Sequence, residues 1–165
     1  MNNKLDPTRA REYALKFLYH IQLSEFKECK KKLEAGEQYD ASAFNSKLNL
    51  FHDSFSEQDL DHPDNTLSPN ALFFAKHLIL NFISNYKYLV ETAQKNSKGW
   101  KKENIDKIDL TIILLAICEM KFSQDTPKKV IINEAINMAK KYGKEESFAF
   151  VNGILDSILN TEFSN

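Results

Sequence analysis

The chain has 165 residues, 42% hydrophobic, 27% charged and 12% aromatic, which suits one ordinary domain or two small subdomains sharing a core and rules against disorder. Only four Gly and four Pro are present, too few turn residues for a β-sandwich or doubly wound α/β fold, and the scattered glycines exclude phosphate-cradling loops. The net charge of −1 hides alternation: residues 1–32 carry eight basic and four acidic side chains, 33–94 three and nine, 95–144 eleven and six, and 145–165 none and four. A neutral total argues against a protein that coats nucleic acid indiscriminately. Two basic segments nevertheless build a local patch if the fold joins them, the alternative being solvated lysine-rich faces.

In chain order, Asp6-Pro7 predicts a helix start, a cap acceptor followed by proline at the first helical position. Ala10, Ala14, Phe17, Leu18 and Ile21 follow at helical spacing, and this helix is expected to end near Ser24. Residues 25–35 either extend it or form a short surface helix. Asp40 is a candidate cap for a second amphipathic helix with the stripe Phe44, Leu48, Phe51 and Phe55; residues 56–68, acidic and broken by Pro63, read as a loop.

Ser68-Pro69 repeats the cap-then-proline start, and the apolar stripe from Leu72 to Ala93 predicts one helix of about seven turns, ended by Asn96 to Gly99. The next helix starts near Asp109, read as its cap, runs to about Phe122 and is apolar on nearly all sides, so it should be the central one. Residues 124–127 start another, carrying Ile131, Ala135, Met138 and Tyr142 and stopping at Gly143, read as a C′ residue. A final helix runs from about 145–147 to about Leu159. The expectation is an all-α protein of six to seven helices in two antiparallel helical bundles, residues 1–95 and 96–165.

The chemistry of catalysis is missing from this pattern. The four histidines (His20, His52, His62, His77) show no ligand spacing, and Cys29 and Cys118 have no histidine nearby, so neither a metal nor another cofactor is expected. The longest apolar run is far short of the roughly 20 residues that span a bilayer, and no signal peptide is visible, so a cytoplasmic protein without membrane attachment is expected.

Binding is better supported. At 100° per residue Tyr19 sits almost opposite the first helix's apolar stripe, beside Glu12 and Lys16 with Arg9 flanking, and Phe150 points away from the side defined by Val151, Ile154, Leu155 and Ile158, near Gly153. Exposed rings beside cations suit single-stranded RNA, where stacking contributes about 1–3 kcal/mol per base. For Tyr19 and Phe150 the alternative is packing against a neighbouring helix; for Gly153, tight helix–helix packing; for Lys128-Lys129, a solvated first turn.

These residues resemble a known family, the bacterial transcription antitermination factor NusB family. TRAREYALKFLY (8–19) is similar to the family's basic first helix, and IDKIDLTIILLAICEM (105–120), with Trp100 before it, to its central helix. TPKKVIINEAINMAKKYG (126–143) resembles its Pro-x-Lys-Val-x-Ile-Asn-Glu-Ala block, and SFAFVNGILDSI (147–158) contains its Phe-Val-Asn-Gly-x-Leu-Asp signature. The match covers about residues 6–24 and 96–159; residues 25–95 agree in helical pattern only.

The resemblance implies two perpendicular three-helix bundles and a non-catalytic factor. It implies binding to single-stranded boxA RNA of ribosomal RNA leaders jointly with NusE, a small-subunit ribosomal protein, within an RNA polymerase antitermination complex. It places Arg9, Arg11, Tyr19, Glu146 and Phe150 at RNA-facing positions, with Lys4 and Lys16 adding charge, and Tyr19, Asp109 and Lys128 toward the protein partner. Family members often carry a longer arginine run at the N-terminus; here only Lys4 precedes Arg9 among basic residues. Two other readings stay open: a protein-only helical scaffold, including a homodimer, and an RNA-binding accessory module of a ribosomal RNA methyltransferase.

Overall fold

The computed structural model describes residues 6–22, 31–32, 34–35, 41–56, 66–97 and 104–164; Lys4, Asp40, Trp100 and most of the acidic loop lie outside these. Among the described residues the protein is all-α. Seven helices with defined bounds follow in order: α1 (Pro7–Gln22), α2 (Ala41–Ser56), α3 (Pro69–Ser84), α4 (Tyr86–Lys95), α5 (Lys107–Phe122), α6 (Lys128–Tyr142) and α7 (Ser147–Glu162).

Local chemistry sets the helix starts. The backbone N–H of Arg9 donates to Asp6 Oδ1 at 3.1 Å, and that of Ala71 to Ser68 Oγ at 3.2 Å, as cap-then-proline pairs require. The cap of the central helix lies three residues earlier than expected, because Asp106, not Asp109, caps it through the N–H of Ile108.

The expected long helix over 69–95 is interrupted at Asn85, whose φ of −120° and ψ of 16° leave the helical region. Its side-chain amide donates to the carbonyl of Asn81, which also accepts the helical bond from the Asn85 N–H, so a side chain competes for an acceptor of the helix ladder there. Apolar spacing gives no sign of the break, since Phe82, Tyr86 and Leu89 stay buried across it.

The buried hydrophobic residues form one cluster with α5 at its centre: Leu110 and Ile112 to Cys118 are all buried. Helix α5 packs against α1, α3, α4, α6 and α7, which explains its lack of a polar face. Helix α1 lies on α3 and α5, while α2 meets it through aromatic contacts, the Tyr13 ring lying 5.2 Å from Phe51 and 4.9 Å from Phe55. Covered on several sides, α1 buries Tyr13 and Leu15 as well as the expected stripe. No helix among the described residues is long and apolar enough to cross a membrane.

Candidate nucleic-acid interface

The basic start of α1 divides between two environments. Arg9 is exposed and pairs with Asp6 at 3.5 Å. Arg11, expected on the RNA-facing surface with it, is only 3% exposed. Its Nε donates to Glu119 Oε2 at 2.8 Å and its Nη2 to Oε1 at 2.6 Å, Nη1 lies 3.5 Å from Glu134, and the guanidinium sits 5.8 Å from the Phe74 ring centroid. Residues two apart on a helix project about 200° from one another, and that turn carries Arg11 onto the side of α1 that packs against α5 and α6. Arg11 is therefore corrected from a surface cation to the centre of a buried ion pair.

Tyr19 follows the alternative of packing against neighbouring helices. It is half-buried, and with Leu15, Lys16, Asp106, Ile108, Tyr142, Gly143 and Lys144 it lines a cavity of about 390 Å³. The side of α1 that faces away from its apolar stripe is covered here by the start of α5 and the end of α6. Lys16 is half-buried, its Nζ 5.2 Å from the Phe55 ring centroid and 6.0 Å from that of Tyr142. Lys144 Nζ lies 2.8 Å from Asp106 Oδ2; the ammonium holds that carboxyl below its ordinary range, while burial pushes the Tyr142 hydroxyl up.

Asp109, expected to cap α5 and to face a partner, does not cap the helix. It is 7% exposed, and its Oδ2 accepts from Ser147 Oγ at 2.8 Å while Oδ1 has no hydrogen-bond partner. Burial raises its carboxyl above the usual range, with the Ser147 bond opposing. Ser147 Oγ in turn accepts from the N–H of Lys144 at 2.8 Å, tying the α6–α7 turn to α5. Gly143 serves this turn by its size: its φ is −89°, and an added Cβ would meet Ser147 Cβ at 2.5 Å and the Ala139 carbonyl at 2.7 Å. Lys128 is half-buried with its Nζ 5.2 Å from the Phe163 ring centroid.

The last turn of α6 joins the two ends of the chain. Lys141 Nζ lies 2.7 Å from Glu12 on α1, while its neighbour Lys140 places Nζ 5.3 Å from the Phe148 ring centroid on α7. Thr8 Oγ1 donates to Glu134 Oε2 at 2.7 Å, a second tie from α1 to α6. On α7, Phe150 is 40% exposed, as helical geometry predicts, and Glu146 is exposed at the N-cap position. Gly153 is exposed, and nothing lies within 4 Å of where its Cβ would be, which removes the helix-packing explanation for this glycine. Sequence reasoning missed Lys140, Phe148, Tyr142 and Lys144, which only the approach of α6 to α1 and α7 brings into the region.

Comparison with known proteins agrees with the pattern. The chain is similar to the transcription antitermination protein NusB of Finegoldia magna, 40% identical over 93 residues, covering 56% of this chain and 68% of that protein. It is similar to the same-named protein of a Geobacter species, 38% identical over 117 residues, covering 71% and 79%. Among solved structures, T. maritima NusB superposes with a TM-score of 0.69 at 26% identity, over 96% of this chain and 94% of that one. With a family model matching residues 8–160, the chain belongs to the NusB family.

Proposed function

We propose that this protein is a non-catalytic transcription antitermination factor that binds single-stranded boxA RNA of ribosomal RNA leader transcripts together with NusE and joins an RNA polymerase antitermination complex. The observation that carries the reading is the exposed Phe150 ring beside Gly153, a helical glycine over which the chain itself leaves open space. Glycine in a helix interior costs about 1 kcal/mol relative to alanine, so a position with no internal steric demand fits close approach by another molecule.

In this mechanism Arg9, with Lys4 preceding it in sequence, attracts phosphate, and Phe150 stacks on an unpaired base. The Tyr19–Lys16 cavity is offered to the protein partner, and Lys128, at the opposite end of α6, is assigned to the same partner. Arg11 acts indirectly by holding α1 against α5 and α6. The test is filter binding of boxA-like and scrambled RNA, with and without NusE. Preferential retention of the boxA-like strand, tightened by NusE, supports the function; equal retention of both strands overturns it.

A further inference from the structure

Phe148 carries an inference of its own. It is 41% exposed at the second residue of α7, and Lys140 lies over its ring at 5.3 Å. The buried side of α7 centres on Ser147, Val151, Ile154, Leu155 and Ile158, which sets Phe148 and Phe150 on opposite flanks of the helix. Between them the outward surface carries Ala149 and the open Gly153.

The charges here are divided: the exposed Lys140, Lys141 and Lys144 stand at the end of α6 and in the turn after it, while α7 and its start are acidic. Glu145, Glu146 and Asp156 are all exposed on the outward side or at the start of α7, which has no basic residue of its own. Carboxylates repel phosphate but accept from the amino groups on base edges, as Asp and Glu do from cytosine N4. A nucleic-acid strand crossing this surface therefore presents bases to it and holds its phosphates elsewhere. Phe148 also lies where the strand would arrive: Lys140 touches its ring, and the next residue, Lys141, is paired with Glu12 of α1.

We propose that Phe148, braced by Lys140, is a second base-stacking platform, so that single-stranded RNA passes from α1 over the end of α6 and crosses the start of α7 on two rings with its bases inward. This rests on the RNA-binding reading above and adds a residue and a polarity to it.

The test measures boxA-like RNA binding by the full chain with NusE across a salt series, for Phe148→Ala, Phe148→Leu and Phe148→Trp. Alanine and leucine should each weaken binding about 5- to 150-fold, the range for one lost base–aromatic stack, and tryptophan should restore it. The slope of log affinity against log salt should stay at the wild-type value, because a neutral ring releases no counterions. Wild-type binding by the leucine variant, which fills the same volume without a flat face, overturns the stacking role. So does wild-type binding by the alanine variant while Phe150→Ala and Arg9→Ala bind weakly, a result that leaves the RNA function standing. If the wild-type chain itself fails to prefer boxA-like RNA, the function falls first and this inference with it.

Discussion

Removing the Arg11 guanidinium tests the correction from surface cation to buried pair. In Arg11→Met, Glu119, 1% exposed, loses both hydrogen bonds and its counter-charge with no route to solvent. The second acidic partner, Glu134, has a side chain 21% exposed and can hydrate, so the loss falls mainly on Glu119. Leaving one member of a buried pair uncompensated costs about 3–5 kcal/mol, whereas replacing both members with apolar groups of similar volume is often neutral or stabilising. Urea denaturation of Arg11→Met should show that loss, with a melting temperature lower by about 6–20 °C for a chain of this size. The double variant Arg11→Met, Glu119→Leu should recover most of it, giving a coupling energy of at least about 2 kcal/mol in the cycle. A single variant within about 0.5 kcal/mol of wild type, with a flattened salt dependence of RNA binding, refutes the reasoning and returns Arg11 to the surface.

The two glycines flanking the start of α7 should respond with opposite signs. Gly143→Ala forces a methyl against Ser147 and the Ala139 carbonyl and should destabilise by about 1–3 kcal/mol in urea titrations. Gly153→Ala enters open space in a helix interior and should stabilise by about 0.5–1 kcal/mol; equal effects at both sites would contradict the packing described. Asp109 supplies a pH test: its raised native carboxyl pKa means the folded state binds the proton more tightly than the unfolded chain, so its contribution to stability falls as pH rises. The stability of Asp109→Asn relative to wild type should be greatest above the native pKa, decline as pH falls through it, and level off below the ordinary value of 3.8. A difference that is flat with pH refutes the shift.

Features decided by a few adjacent residues were legible in the sequence. The Asp6-Pro7 and Ser68-Pro69 starts follow from cap chemistry, and the burial of α5 from its unbroken apolar surface. Phe150 was legible because the buried side of α7 is set by its own period. What escaped depends on which helix covers a given face. Tyr19 points away from its helix's apolar stripe yet is half-buried because the end of α6 reaches that side. The Phe148 ring lies under Lys140 of α6, a contact that the period of α7 does not encode. The spacing of Arg9 and Arg11 did hold a warning, since residues two apart face opposite ways, and the acid that pairs with Arg11 lies 108 residues along the chain. Asn85 interrupts a helix whose apolar pattern continues in phase, so only its side-chain hydrogen bond reveals the break.

The most direct measurement places a benzophenone-bearing residue at position 150 and, separately, at position 73 on α3, where the native phenylalanine is 70% exposed, and irradiates each protein with boxA-like RNA and NusE. The account predicts a covalent RNA adduct from position 150 and none from position 73. An adduct from position 73 with none from position 150 would contradict it.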